Sequence, residues 1–315
     1  MTKVVSYYRN HLVNSAAPHE DHGTPKIDYP RYASTQEMVD DMMPALPVYA
    51  LNPDFIRDTG AAFVRAFPGT TMFAVKTNPS PIAIANLYKG GVHSFDVASV
   101  EEMRLVRSIA PDAELFFMHT IKSPESIHEA YFEHNVRNFV LDHEEELAKI
   151  LRITNNADDL NLFVRVTLPK NSNASIDLSA KFGAAPDAAV DLLRACRKVS
   201  VKLGVAFHVG TQISDAAAYA NALHIVRGII DNADIRIDRL DIGGGFPVPY
   251  EGENVPSIHT CIDVVRTALR VEGLDTLELF AEPGRALVAQ GGSLVVRVEA
   301  RRGDAHAETG AVERW

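Results

Sequence analysis

Met72-Phe73-Ala74-Val75-Lys76-Thr77-Asn78-Pro79 decides how the rest of this 315-residue chain is read. Met72 to Val75 have the length and composition of a short buried strand, and a lysine stands where it ends. Asn78-Pro79-Ser80-Pro81 then breaks the strand and opens a helix. Burial penalises a charged amine, so the pKa of Lys76 is expected to fall. A neutral amine attacks carbonyls, which is Schiff-base chemistry. An ordinary solvated lysine at a strand end is the competing reading, and the neighbouring sequence decides between them.

Outward from this stretch the chain alternates. Short apolar runs recur at Met72–Lys76, Ser94–Ser99, Leu115–His119, Asn138–Asp142, Leu162–Val166, Gly204–Val209, Arg239–Ile242 and Leu277–Glu282. Helical periodicity fills the gaps between them, from Ile82–Tyr88 through Cys261–Val271. Strands alternating with helices imply parallel pairing through right-handed crossovers, and eight such units close a (β/α)8 TIM barrel. An open doubly wound sheet is the alternative, but no G-x-G-x-x-G follows the first strand. Lys76, Asp96, His119, Asp142, Arg165, His208, Gly243 to Gly245 and Glu282 all fall at or just past a strand's C-terminal end. In a barrel those ends share one face, where active sites form.

Composition narrows the function. A net charge of -10 disfavours nucleic acid and anionic membranes as partners. Cys196 and Cys261 give no disulfide framework, and no apolar run is long enough to span a membrane, so a cytoplasmic location is expected. His19-Glu20-Asp21-His22 has no further ligands nearby, so no metal is expected.

Three glycines in Asp241-Ile242-Gly243-Gly244-Gly245-Phe246-Pro247 let the backbone approach an anion and turn N–H groups toward it. Loops after the seventh and eighth strands are the common phosphate site of such barrels. Glu282-Pro283-Gly284-Arg285 adds an arginine fork for phosphate. A carboxylate at Glu282 suits the ring nitrogen of a pyridine cofactor, keeping it protonated as an electron sink. Lysine, glycine cradle, arginine and glutamate together spell pyridoxal 5'-phosphate. His208 is placed to stack on a planar ring, and Thr211 to offer a hydroxyl to the phosphate. Ser99-Val100-Glu101-Glu102 fits a capping box, which competes with a site role for Glu102. The polar stretch Thr167–Pro186 is a long loop on the same face, where ligand access is controlled.

These segments resemble the fold-type III pyridoxal-phosphate decarboxylases, the ornithine/lysine/diaminopimelate/arginine group. A-V-K-T-N, F-D-V-A-S, H-V-G-T, D-I-G-G-G-F-P and E-P-G-R follow in the family's order, across Leu46 to Glu299, with F-D-V-A-S and G-G-G-F-P closer to the ornithine/lysine branch. The resemblance implies that Lys76 carries the cofactor as a Schiff base and that Asp96 helps to place it. It puts Arg165 beneath the cofactor, His208 on the ring face and Glu282 at the ring nitrogen. Gly243, Gly244, Gly245 and Arg285 hold the phosphate, with Thr211 in place of the family's usual serine. Glu102 matches a family position near the cofactor. The implied catalytic set is Lys76, His208 and Glu282; the substrate is a small amino acid, and the family is homodimeric with its site at the interface.

The implied reaction is decarboxylation of a basic amino acid, ornithine to putrescine first and lysine to cadaverine second. The family continues past the eighth strand into a second β-domain that carries a Cys-Asp pair and a tyrosine. Here the pattern stops after a strand at Leu294–Val298, and a truncated chain with an exposed strand edge is expected. Residues 1–45 are read as a lead-in with part of that β-domain, 46–290 as the barrel and 291–315 as the start of the truncated domain and an irregular tail. The alternative is a catalytically impaired or non-catalytic pyridoxal-phosphate-binding paralogue, or a fragment lacking the C-terminal catalytic segment.

Overall fold

The computed structural model describes residues 3–6, 29–170, 174–176, 181–302 and 313–314. The run His19–His22 therefore lies outside the described residues. Contacts divide the chain into two compact units, Met1–Phe55 with Gly291–Trp315, and Ile56–Gln290.

In the larger unit eight strands close a barrel: β1 Thr70–Ala74, β2 Ser94–Val97, β3 Glu114–Phe117, β4 Asn138–Leu141, β5 Asn161–Arg165, β6 Lys202–Ala206, β7 Arg239–Asp241 and β8 Glu278–Ala281. All pairs are parallel, and β8 returns to β1 through Phe280↔Thr70 and Ala281↔Thr71. The helices between them are α1 Pro81–Lys89, α2 Val100–Ile109, α3 Pro124–Phe132, α4 Glu144–Ile153, α5 Pro186–Arg197, α6 Ala217–Ala233 and α7 Ile258–Val271. This is the (β/α)8 barrel that the alternation predicts.

Period-two alternation divides the strand residues between two cores. Met72, Phe116, Met118, Val140, Phe163, Ala206 and Phe280 fill the barrel interior. Phe73, Phe95, Phe117, Phe139 and Val164 face the surrounding helices. A polar network closes the end where the strands begin. There Arg239 donates to Asn138 Oδ1 at 2.8 Å and to Glu278 Oε2 at 3.0 Å, and Asn138 donates to Glu114 Oε1 at 3.0 Å. At the opposite end the helices start from local caps. Ser99 Oγ accepts from Glu102 N–H, Ser123 Oγ from Ser126 N–H and Ser257 Oγ from Thr260 N–H.

The smaller unit is an antiparallel sheet in the order Gly292–Val295, Val48–Leu51, Lys3–Ser6, Arg31–Tyr32. Met38 of the helix Thr35–Met42 packs with Val48 and Ala50 as its core, and Val295 lies against them. Two features differ from the sequence reading. Val48–Leu51, read there as barrel, belongs to this sheet, because its partners are antiparallel strands of the same unit. The strand expected at Leu294–Val298 is Gly292–Val295, and it is paired on one side by Val48–Leu51. Its register sets Leu294 opposite Tyr49, and both side chains are about half exposed.

Candidate active site

β1 ends at Ala74, and Val75–Thr77 turn as one short 3-10 segment that lifts Lys76 into the mouth of the barrel. Lys76 Nζ donates to Asp96 Oδ2 at 2.5 Å; the lysine side chain is half open to the mouth, and the Asp96 side chain is fully buried. Burial works to lower the Lys76 pKa, but the carboxylates of Asp96 and Glu282 outweigh it and hold the amine above the ordinary lysine range. The expected fall in its pKa is thus reversed. In the free chain Lys76 is an ammonium, because two carboxyls from β2 and the end of β8 converge on it.

Two of the carboxyls in this cup are also raised, which for an acid favours the neutral form. Burial, then repulsion from Asp241 and Asp96, raises Glu282 well above the usual carboxylate range, against the pull of Lys76 and Arg165. Asp241, the last residue of β7, is fully buried. Burial and the neighbouring Asp96 push it from 3.8 to about 6, while contacts with Glu282, Gly243 N–H and Arg165 hold it down. Asp241 Oδ1 accepts from Gly243 N–H at 2.9 Å, and Oδ2 has no hydrogen-bond partner among the described residues. Three acids and two bases thus face one another at the strand ends, and the shifts of Lys76, Asp241 and Glu282 are of the kind that cluster at functional sites.

His208 follows β6. Its Nδ1 accepts from Gly210 N–H at 3.0 Å, which leaves Nε2 as the protonated nitrogen of a neutral ring. Burial, with the charges of Arg165 and Lys76, lowers its pKa to about 3. The ring lies against the glycine loop: a Cβ on Gly244 would stand 3.1 Å from His208 Nε2 and 2.8 Å from the Glu282 carbonyl oxygen. Gly243 has φ +68, and a Cβ there would lie 2.3 Å from the Phe207 carbonyl oxygen. Neither Gly244 N–H nor Gly245 N–H has an acceptor among the described residues. Arg285 donates from Nη1 to Tyr250 Oη at 2.8 Å, and its buried Nε is without a partner among the described residues.

Thr211 opens the strand Thr211–Ile213, which pairs with Ala174–Ile176 from the long loop after β5. Later in that loop Phe182 packs against two strand-end side chains, 5.2 Å from the Arg165 guanidinium and 5.7 Å from the His119 ring. Gly183 N–H donates to Asp142 Oδ2 at 2.9 Å. Glu102 does serve as a cap, its Oε2 accepting Ala98 N–H at 2.7 Å. Burial raises its pKa, with Asp96 and Lys76 among the charges that act on it.

The barrel therefore brings Lys76, Asp96, Glu102, Arg165, His208, Gly243, Gly244, Glu282 and, through the same loops, Gly245, Thr211 and Arg285 to one end. The sequence reading passed over Asp241, Phe182, Gln212 and Tyr219 as individual residues. Only Asp241 left a signal, a carboxylate closing a strand just before three glycines.

The free N–H pair, the unpartnered Arg285 Nε and the acidic cluster suit a phosphate and a protonated ring. The profile of the pyridoxal-dependent decarboxylases, pyridoxal-binding domain, matches residues 54–289. The chain belongs to this family. The cofactor of its barrel is pyridoxal 5'-phosphate. A lysine/ornithine decarboxylase of Selenomonas ruminantium is 34% identical over 232 residues, 72% of this chain and 57% of that protein. A diaminopimelate decarboxylase of Actinosynnema pretiosum subsp. auranticum is 31% identical over 268 residues, 81% of this chain and 61% of that one. The crystal structure of a Vibrio vulnificus lysine/ornithine decarboxylase complexed with putrescine superposes with a TM-score of 0.72 at 29% identity, covering 86% of this chain and 73% of that chain. The chain thus spans about six-tenths of the length of these two curated relatives. No helix among the described residues is long and apolar enough to cross a membrane.

Proposed function

We propose that this chain decarboxylates a basic amino acid, L-ornithine to putrescine first and L-lysine to cadaverine second. The observation that carries the reading is the meeting of Lys76 with Asp96, Glu282 and the glycine loop at one barrel end. Bound pyridoxal phosphate supplies the electron sink for the charge left when carbon dioxide departs.

The remaining work falls to side chains of this chain. Asp96 orients the Lys76 amine and balances its charge. Burial, Asp241 and Asp96 raise the proton affinity of Glu282, and a protonated ring nitrogen beside this acid cluster is the positive charge that would let Glu282 ionise. Arg165 offsets that cluster from β5 and keeps several acids from repelling without a counter-charge. His208, held neutral, offers a flat face without adding positive charge. Gly244 and Gly245 N–H groups, with Arg285 and Thr211, hold a phosphate dianion. Glu102 both caps α2 and borders the lysine. Phe182 covers Arg165 at the mouth and limits water there. A homodimer in the cytosol completes the proposal.

The test is carbon dioxide release by the purified chain with pyridoxal phosphate, offered ornithine, lysine, arginine and diaminopimelate separately. Release from ornithine or lysine, abolished in Lys76→Ala, is expected. Bound cofactor without release from any of the four would refute catalysis and leave a cofactor-binding barrel.

A further inference from the structure

The loop that follows β7 is held from outside the cup by two residues with no place in the chemistry above. Tyr219 on α6 is fully buried, and its hydroxyl donates to the Gly244 carbonyl at 2.9 Å. Its ring packs on Phe246 of the same loop with centroids 5.3 Å apart. Gln212 grips the loop further on. Its side-chain amide donates to the Val248 carbonyl at 2.6 Å and accepts from Val248 N–H at 3.1 Å, as a neighbouring strand would. The same amide donates to Glu253 Oε2 at 2.8 Å. Gln212 holds this grip with φ +54, a left-handed backbone that is strained for a non-glycine residue. A costly conformation beside a buried, doubly used amide marks a position fixed for a purpose.

Peptide geometry supplies the purpose. A peptide unit is planar and trans, so its carbonyl and the next residue's N–H point in opposite directions. Fixing the Gly244 carbonyl fixes the Gly245 N–H. Glu282 N–H donates to the Gly243 carbonyl at 2.8 Å and sets the Gly244 N–H in the same way. Ile213 N–H, next to Gln212, donates to the Gly245 carbonyl at 3.3 Å. The carbonyls of this loop are therefore engaged by protein, and the two N–H groups between them are left without acceptors. With glycine at three consecutive positions the loop would otherwise sample many orientations.

We propose that Tyr219 and Gln212 are positioning residues for the cofactor phosphate. Tyr219 aims the Gly245 N–H by holding the Gly244 carbonyl, and Gln212 anchors the far side of the loop at Val248. This inference rests on the reading of Gly243–Gly245 as the phosphate cradle.

The experiment compares two probes on the full chain, pyridoxal 5'-phosphate and pyridoxal, which lacks the phosphate. Affinities are read from the visible absorbance of bound cofactor, and circular dichroism confirms folding. The wild type is expected to prefer the phosphorylated probe strongly. Tyr219→Phe keeps the ring and removes one hydrogen bond, so it should weaken pyridoxal phosphate about fivefold or more and change pyridoxal less than twofold. Gln212→Gly keeps the backbone conformation without strain and removes the grip; it should show the same selective loss, and it decides the matter if Tyr219→Phe does not fold. Folded variants that keep the wild-type ratio of the two affinities, or lose both probes equally, would overturn the positioning role alone. A wild type that binds both probes alike would overturn the cradle reading, and the positioning role with it.

Discussion

Replacing Asp241 with asparagine should make the cofactor-free chain more stable and a poorer binder of its cofactor. Asp241 is fully buried and shares its surroundings with Glu282 and Asp96. Its pKa of about 6, against 3.8 for the free side chain, measures what ionisation costs in the fold. Each pH unit of displacement corresponds to about 1.4 kcal/mol, so the cost at neutral pH is about 3 kcal/mol. The sign follows from proton binding. A folded-state pKa above the unfolded one means that the native chain holds the extra proton between pH 3.8 and about 6. Stability from this group is complete below that window and is lost as pH rises through it. Asparagine carries no such loss. Its Oδ1 still accepts from Gly243 N–H, and its amide puts a donor near Glu282 in place of Oδ2, which has no hydrogen-bond partner among the described residues.

The assay is urea unfolding of cofactor-free protein at pH 7 and pH 4, followed by circular dichroism. Asp241→Asn is expected to gain about 2–3 kcal/mol at pH 7 and almost nothing at pH 4. His208, with its pKa lowered to about 3, makes both proteins less stable as pH falls below its ordinary value, and it cancels in the difference. Cofactor affinity should fall at the same time, because the negative potential around Glu282 is weaker. A loss of stability at pH 7, or an equal gain at both pH values, would refute the electrostatic account.

Gly243→Ala should cost more than about 2 kcal/mol, since it combines a positive φ with a Cβ 2.3 Å from a backbone oxygen; Gly244→Ala, with a Cβ 2.8 Å from the Glu282 carbonyl oxygen but without the left-handed backbone, should lower both stability and cofactor affinity, and stability by less than Gly243→Ala does. Lys122 is buried, donates to the carbonyls of His119, Thr120 and Val140, and pairs with Glu146 at 3.1 Å. Burial lowers its pKa from 10.5 to about 8, so its contribution to stability improves as pH rises from 8 toward 10.5, by about 3 kcal/mol in all. Lys122→Met should abolish that rise in urea midpoints measured across the window, with the buried Cys196 and Cys261 cancelling between the two proteins. Glu102→Gln keeps an acceptor for Ala98 N–H and removes the charge beside Lys76; stability should stay within about 0.5 kcal/mol while cofactor affinity drops severalfold, whereas a residue that only caps would leave affinity unchanged.

The barrel was legible in sequence because it is built from local patterns repeated eight times. Each strand is a short run of three to five residues built around apolar side chains, and each helix has its own apolar stripe and, at Ser99, Ser123 and Ser257, its own cap. The candidate site was legible for a related reason: a parallel barrel sends every strand's C-terminal residue to one face, so position along the chain already fixes the company a side chain keeps. Val48–Leu51 was the exception. A short apolar run reads alike in a barrel and in an antiparallel sheet, and only its partners Lys3–Ser6 and, more than two hundred residues later, Gly292–Val295 assign it.

Energetics were not legible in this way, and Lys76 shows why. Burial alone predicts a depressed amine, and that prediction fails in sign because the amine meets Asp96 from the adjacent strand β2 and Glu282 from the end of β8, which becomes a neighbour of β1 only once the barrel closes. The same closure gives Asp241 and Glu282 pKa values that neither residue's local sequence contains. Tyr219 and Gln212 lie one step further from view. Each acts on backbone atoms rather than on a side chain, so no pairing of residue types announces it. A cup whose acids repel when empty, and whose glycine loop is braced from behind, is stabilised by whatever brings positive charge to the acids and a phosphate to the N–H pair. Binding and stability in this barrel are then linked, and the groups that make the empty chain less stable are the ones that make it bind.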